Sequence, residues 1–133
     1  MASSLKFSIS DVIPCDPIVL YEAWLSSEGH THLTGSPANV SDQVDGEFRA
    51  WDGYIWGRNL ELEPGKRILQ AWRTSEFEES APDSLVEIRF EPSGKVTKVT
   101  IQHWNLPADG MQYKQGWIDF YFTPMKAYFG SSQ

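Results

Sequence analysis

The chain has 133 residues, of which 14% are aromatic and six are tryptophan. Its formal net charge of −7 argues against a nucleic-acid partner, which needs a clustered basic surface, and against an anionic membrane surface. The length fits a single domain over residues 1–133, and the lone cysteine, Cys15, excludes an intramolecular disulfide. Because we find no apolar signal segment and no stretch of the ~18 apolar residues that span a bilayer, we expect a cytoplasmic protein.

The N-terminal part of the chain is predicted to hold a strand followed by one or two short helices. Residues 5–12 alternate between apolar and polar side chains, which is typical of a strand. Asp16 followed by Pro17 marks the start of a helix of about two turns. Residues 28–35 fit either a second short helix or a loop, and Gly35 ends this segment in both cases.

The middle of the chain, residues 38–104, alternates strand-like segments with turns. Turns are predicted at Asp45-Gly46, Asp52-Gly53, Glu63-Pro64-Gly65-Lys66 and Pro92-Ser93-Gly94. Strands are predicted at 48–51, 54–62, 67–74, 85–90 and 96–104. Short strands joined by hairpins are typical of an antiparallel meander, and the acidic segment 76–84 is expected to be an exposed loop.

The alternation within these strands predicts which side chains point inward. Trp72, Phe90 and His103 are in phase with the apolar residues of their strands, so we place them on the face that a covering helix would contact. Trp56 belongs to this inward set only if Gly57 introduces no bulge into its strand.

The C-terminal part of the chain changes to a helical period. Apolar and aromatic residues recur there at spacings of three and four, which predicts a long helix with one apolar, aromatic face. These residues are Trp117, Phe120, Tyr121, Pro124, Met125 and Tyr128. Pro124 is expected to kink or split this helix near residues 122–123. Gly130 is expected to end it.

A long apolar helix and a sheet with an apolar face must cover each other. We therefore predict an α+β fold in which a curved antiparallel sheet wraps around the long C-terminal helix. Many large, flat side chains between the two layers predict an apolar cavity of the kind that binds small molecules, although each of them can also be core packing. The candidate ligand-binding residues are Trp56, Trp72, Phe90, His103, Trp117, Phe120, Tyr121 and Met125.

Several motifs, in this order along the chain, resemble the family of activators of the heat-shock protein 90 (Hsp90) ATPase. They are Ser36-Pro37-Ala38-Asn39-Val40, Asp45-Gly46-Glu47-Phe48, Asp52-Gly53, the segment 62–73 with its Trp72-Arg73 pair, Gln115-Gly116-Trp117, Tyr121-Phe122, Lys126 and Phe129-Gly130. The resemblance covers essentially the whole chain and implies the helix-grip fold of the START-like superfamily, which is known for apolar cavities. The chain resembles specifically the C-terminal domain of the eukaryotic co-chaperone, whose separate N-terminal domain has no counterpart in these residues.

His30 and His32 are the nearest approach to a metal-binding pair. Their spacing places them on opposite sides of a helix or on one face of a strand, and Cys15 and His103 are the only other soft ligands. We interpret His30 and His32 as solvated loop histidines and expect no metal site.

No catalytic constellation is identified. His103 is the best candidate for acid–base chemistry, but a lone inward histidine is more often a core residue with satisfied hydrogen bonds. A helix N-terminus can lower the pKa of Cys15, yet without a partner base a small buried thiol is the favoured interpretation. Arg58 would orient a ligand carboxylate if its strand phase pointed inward, and Asp119 is expected to face water. The sequence thus predicts no catalytic residue and no cofactor.

Two functional hypotheses follow. The first is a non-enzymatic binding protein with an apolar, aromatic-lined cavity for a hydrophobic or aromatic small molecule. The second is implied by the resemblance: a co-chaperone-like module that binds Hsp90 and stimulates its ATPase.

Overall fold

The structure is a computed structural model that describes residues 5–51, 53–106 and 110–130. The strands are β1 (Leu5–Ile13), β2 (Asn39–Val40), β3 (Glu47–Ala50), β4 (Ile55–Glu63), β5 (Arg67–Thr74), β6 (Ser84–Ser93) and β7 (Val96–Leu106). The helices are α1 (Pro17–Trp24), α2 (Ser27–Thr34), α3 (Gln112–Trp117) and α4 (Thr123–Gly130). A π-helical segment, Ile118–Phe122, joins α3 to α4.

The seven strands form one antiparallel sheet in the order β1-β7-β6-β5-β4-β3-β2. Strands β3 to β7 are the predicted meander, and β2, which was not predicted, extends it beyond β3. At the other edge β1 pairs with β7, with Ile9 opposite Ile101. The turn predicted at 63–66 is present, because Lys66 donates a backbone hydrogen bond to the Glu63 carbonyl at 2.9 Å and Gly65 has φ 73°. The predicted helix-grip arrangement, a curved sheet around a long C-terminal helix, is confirmed.

The ambiguous segment after α1 is a helix. The hydroxyl of Ser26 accepts a hydrogen bond from the Gly29 N–H at 3.1 Å, which caps the start of α2. At the other end Gly35 adopts the left-handed conformation at φ 79° and donates to the Thr31 carbonyl. A Cβ at Gly29 would lie 2.7 Å from the backbone of Ala23, so the close approach of α1 and α2 requires glycine there.

The interruption predicted near residues 122–123 takes the form of the π-helical segment. Pro124 has no N–H, and its ring excludes ordinary α-helical bonding to the carbonyl four residues earlier. The helix widens just before it, and the Thr123 N–H reaches the carbonyl of Ile118, five residues back. Tyr121 and Phe122 are then both buried.

The inward phase considered for Trp56 is wrong. Ile55 and Asn59 are the buried residues of β4, and Trp56 lies on the outer face of the sheet with 37% of its surface exposed. The register shifts between Asn59 and Glu61, so the irregularity lies at Leu60 rather than at Gly57. An extra residue in a strand reverses the alternation beyond it, and for this reason Trp56 and Leu62 do not share a face.

Candidate ligand-binding groove

An open groove lies where α3 and the π-helical segment pass the turn between β3 and β4. Its volume is about 470 Å³. We call it the aromatic groove, because most of its lining is aromatic: Trp51, Tyr54, Ile55, Trp72, Glu76, Gln112, Tyr113, Gly116, Trp117, Phe120 and Tyr121.

The groove has a buried floor and an exposed rim. Trp72 and Trp117 form the floor, and each is 3% exposed. Tyr54 and Phe120 form the rim and are 36% and 54% exposed, respectively. Gly116 lies between them on α3, where an added Cβ would meet only the Phe120 ring, at 3.8 Å. The missing side chain of Gly116 therefore contributes to the open space.

Hydrogen bonds on the core side hold the two floor residues in place. The Trp117 Nε1–H donates to His103 Nδ1 at 3.0 Å, so the proton of the neutral imidazole lies on Nε2. His103 Nε2 then donates to Ser84 Oγ at 2.8 Å, and Ser84 donates to the Trp72 carbonyl at 2.7 Å. Burial lowers the pKa of His103 to about 3. Both ring nitrogens of this histidine are therefore used within the core.

A second buried histidine fixes the next turn of the helix. His30 lies 2.9 Å (Nδ1) from the Trp24 carbonyl and 3.0 Å (Nε2) from the Tyr121 hydroxyl. Because the carbonyl can only accept, Nδ1 carries the proton and Nε2 accepts from Tyr121. Burial lowers the pKa of His30 to about 4, against a weaker opposing effect of the bond to Trp24. The prediction of a solvated His30 is wrong, because α2 turns it inward onto the C-terminal helix.

A polar cluster lies at one side of the rim. Glu76 Oε1 accepts hydrogen bonds from the Tyr54 hydroxyl at 2.5 Å and from the Tyr113 hydroxyl at 3.3 Å. The Tyr113 hydroxyl also lies 2.7 Å from Thr74 Oγ1. Burial raises the pKa of both tyrosines, so both phenols stay protonated at neutral pH. The cluster joins the segment after β5 to α3.

Trp51 differs from the other aromatic lining residues. Its backbone has φ 54°, a left-handed conformation that is uncommon for a bulky residue. Its indole nitrogen is buried and has no hydrogen-bond partner among the described residues. Trp51 is not among the site residues predicted from the sequence, although it is a large aromatic residue immediately before the predicted Asp52-Gly53 turn. Asp52 itself lies outside the described residues.

The predicted site residues separate into three groups. Trp72, Trp117, Phe120 and Tyr121 line the groove. Phe90, His103 and Met125 are packed in the core, with 2%, 0% and 0% of their surface exposed. Trp56 is on the outer face, and Arg58 and Asp119 are exposed. A ligand-binding role for the groove-lining residues stays a prediction.

The remaining candidate groups do not assemble into a site. His32 is exposed and stacks on Tyr128, with ring centroids 6.0 Å apart. Within residues 5–51, 53–106 and 110–130, no three His, Cys, Asp or Glu side chains are placed to hold a metal ion. Burial, together with the charge of Asp16, raises the pKa of Cys15 to about 11, so its thiol is protonated. None of the described helices is long and apolar enough to cross a membrane.

Curated proteins with similar sequences are named activators of the 90 kDa heat-shock protein ATPase. The homologue from Dictyostelium discoideum is 28% identical over 111 residues, which are 82% of this chain and 29% of that protein. The homologue from Homo sapiens is 25% identical over 126 residues, which are 94% of this chain and 37% of that protein. The chain thus spans about a third of the length of these relatives.

Structural similarity agrees with the sequence match. The crystal structure of a Plasmodium falciparum protein described as an Hsp90 activator has a TM-score of 0.86 and 26% sequence identity, and the match covers 95% of this chain and 96% of that one. Residues 14–130 match the family described as activator of Hsp90 ATPase homolog 1-like protein. Because this match includes most of the sequence, the chain belongs to the family of activator of Hsp90 ATPase homolog 1-like proteins.

Proposed function

We propose that the chain is a non-enzymatic binding protein and that the aromatic groove takes a hydrophobic or aromatic small molecule. The observation that carries this proposal is an open space of about 470 Å³ whose lining is mostly aromatic. Sites for small molecules are concave, largely apolar and of a similar size, with a few polar groups that orient the ligand. The rim cluster of Tyr54, Glu76 and Tyr113 supplies such groups.

Binding without catalysis is favoured by the state of the titratable groups near the groove. His103, the candidate for acid–base work, is 0% exposed and bonded through both ring nitrogens. The Tyr54 and Tyr113 phenols have raised pKa values, which makes them poor proton donors at neutral pH. We therefore assign the groove no catalytic residue, metal or cofactor.

A fluorescent neutral aromatic ketone, 6-propionyl-2-dimethylaminonaphthalene (prodan), tests the proposal. Its emission should increase and shift to the blue with saturable dependence on wild-type protein. Gly116→Leu should abolish this binding, because the new side chain enters the groove from α3. Lys114→Leu is the matched control, since it adds the same side chain at an exposed position of the same helix that does not line the groove. Equal prodan affinity of wild type and Gly116→Leu would rule out the groove as the site.

A second function is favoured by the family match and by the likeness to the Plasmodium falciparum Hsp90 activator. In this alternative the domain is a cytoplasmic co-chaperone that contacts Hsp90 and stimulates its ATP turnover. Excess domain should then raise the rate of ATP hydrolysis by Hsp90, and an unchanged rate would argue against it. If Gly116→Leu stimulates as well as wild type, the two activities use different surfaces.

A further inference from the structure

We propose that the aromatic groove prefers neutral aromatic ligands that carry a carbonyl oxygen, and that the indole N–H of Trp51 donates a hydrogen bond to that oxygen. This inference rests on the binding function proposed above and adds to it the chemical class of the ligand. Two properties of Trp51 and the charge of the groove carry it.

The first property is the missing hydrogen-bond partner of Trp51. Its Nε1 is buried and unpaired among the described residues, whereas the indole N–H of the neighbouring Trp117 is bonded to His103. A buried donor without an acceptor has lost its bonds to water and gained none in return, so such groups are rare in folded proteins. A ligand acceptor would remove this cost on binding.

The second property is the backbone conformation at the same residue. Trp51 has φ 54°, and Tyr54 closes the turn by donating to the Trp51 carbonyl at 3.1 Å. Ser75 supports the same turn, because its backbone N–H donates to the Tyr54 carbonyl at 3.0 Å. Left-handed conformations of bulky residues cluster at binding sites, where the surrounding structure imposes them. Here the conformation directs a large ring into the groove.

The phenol oxygen of Tyr121 lies close to the Trp51 indole. Burial raises the pKa of Tyr121, and the Trp51 N–H, which is directed toward the phenol oxygen, opposes that rise to a smaller extent. Nevertheless, the Trp51 N–H does not meet the geometry of a hydrogen bond to the phenol oxygen. The Tyr121 hydroxyl donates to His30 and keeps its lone pairs, and its ring meets the Trp51 ring edge-on at 6.4 Å. Tyr121 therefore offers the Trp51 N–H only a poorly aligned contact, which a ligand carbonyl oxygen would replace.

A ligand must displace a ring to reach this donor, because the nitrogen is shielded from water. Phe120 packs against Trp51 with ring centroids 5.3 Å apart, yet it is 54% exposed. A phenylalanine ring has no hydrogen bond to hold it, and more than half of the Phe120 surface is already exposed to solvent. We assign Phe120 as the ring that moves aside when a ligand enters.

The charges around the groove select against anions. Glu76 is the single charged side chain among the described lining residues, and its carboxylate lies at the rim. The whole chain carries a net charge of −7. A carboxylate ligand would be repelled by both and would meet no basic side chain, whereas a ketone brings an acceptor without charge.

Three compounds of equal ring size separate these contributions by competition against prodan: 2-acetylnaphthalene, 2-ethylnaphthalene and 2-naphthoate. In wild-type protein 2-acetylnaphthalene should bind more tightly than 2-ethylnaphthalene, because only the ketone accepts a hydrogen bond. The ratio of their Kd values, ethyl over acetyl, should be about fivefold smaller in Trp51→Phe, which is the effect expected from the loss of one neutral hydrogen bond. The ratio should not change in Trp56→Phe, which makes the same substitution on the outer face. Wild-type protein should bind 2-naphthoate at least about tenfold more weakly than 2-acetylnaphthalene.

A second measurement needs no variant. The ¹⁵N-bound indole proton of Trp51 should move downfield on addition of 2-acetylnaphthalene and should stay in place with 2-ethylnaphthalene. An unchanged ratio in a folded Trp51→Phe, or equal indole shifts with both compounds, overturns this inference and leaves the binding function intact. If prodan does not bind wild-type protein at all, the binding function itself fails.

Discussion

The C-terminal helix presents two different faces to the rest of the domain. On the face that we call the sealed side, Trp117 and Tyr121 donate hydrogen bonds to His103 and His30, and these four side chains are at most 3% exposed. On the neighbouring face, which we call the open side, the rings of Phe120 and Trp51 contact each other. Both sides are aromatic, so composition does not distinguish core from site. The difference is that the indole N–H of Trp117 has a hydrogen-bond partner, whereas that of Trp51 has none among the described residues.

The sealed side also has the denser ring packing. Trp24 stacks on Tyr121 with centroids 5.1 Å apart and on Trp117 at 6.3 Å. Trp72 meets the His103 ring edge-on at 4.6 Å. Such pairs add to the free energy of burial, so this region should carry the stability of the domain. The exposed Phe120 at the rim of the groove should contribute to binding and little to folding.

The largest expected effect on stability comes from removing an aromatic ring on the sealed side. Trp117→Ala should lower the free energy of unfolding by about 4 kcal/mol, because it opens a cavity and leaves His103 Nδ1 without its donor. Phe120→Ala, three residues later on the same helix, should cost less than about 1 kcal/mol, since that ring is 54% exposed. Urea unfolding at pH 7 measures both, and similar losses would contradict the proposed division of the helix.

The second largest expected effect is a loss of stability in acid, which comes from the two buried histidines of the sealed side. Burial lowers the pKa values of His30 and His103 from 6.5 to about 4 and about 3, so the unfolded chain binds protons that the folded chain excludes. Stability is therefore complete above pH 6.5 and decreases as the pH falls from 6.5 toward 3. At pH 5 each histidine should lower the free energy of unfolding by about 2 kcal/mol relative to its value at pH 7.

Urea unfolding between pH 7.5 and pH 4.5 measures this loss. His103→Gln should flatten the pH dependence, although it lowers stability at pH 7. The matched control is His32→Gln, because His32 is exposed and its removal should leave the slope unchanged. A wild-type stability that is constant down to pH 5 would contradict the buried, neutral state of both histidines.

A smaller effect is expected at the rim. Tyr113→Phe should lower the free energy of unfolding by about 1 kcal/mol, because it breaks a buried hydrogen bond to Thr74 and a longer one to Glu76. Tyr54→Phe removes a bond that is exposed to solvent and should cost only a few tenths of a kcal/mol. Thermal unfolding of the two variants distinguishes these effects. A larger loss of stability in Tyr54→Phe than in Tyr113→Phe would contradict the assignment of the Tyr113 hydroxyl as buried and the Tyr54 hydroxyl as exposed.

The smallest expected effect on stability has the opposite sign. Glycine inside a helix is unfavourable by roughly 0.5–1 kcal/mol, and a Cβ at Gly116 meets no atom closer than 3.8 Å. Gly116→Ala should therefore raise the free energy of unfolding by about 0.5 kcal/mol. A loss of stability in urea unfolding would mean that the space beside Gly116 is needed by the fold.

The sequence predicts most of the fold because local patterns encode it. The alternation of β5, β6 and β7 placed Trp72, Phe90 and His103 inward, and all three are buried. The period of the C-terminal helix identified its buried face, although not the π-helical form that Pro124 imposes. The phase of β4 could not be predicted, because a bulge at Leu60 depends on pairing with β5 and leaves no signal in the alternation.

The candidate site was predicted only in part, because it depends on contacts between distant residues. His30 and Tyr121 are separated by 91 positions, so nothing near His30 in the sequence indicates that it is buried. Four predicted residues line the groove, but Trp51, Tyr54 and Tyr113 were missed. Their positions follow from how the turn between β3 and β4 packs against α3, and residue type alone does not specify that.

Prodan titration of wild type, Gly116→Leu and Lys114→Leu is the most direct test of whether the aromatic groove is a binding site. We expect saturable binding to wild type and Lys114→Leu, and none to Gly116→Leu, with all three proteins folded by circular dichroism. Saturable binding of the same affinity to all three variants, or to none of them, would contradict it.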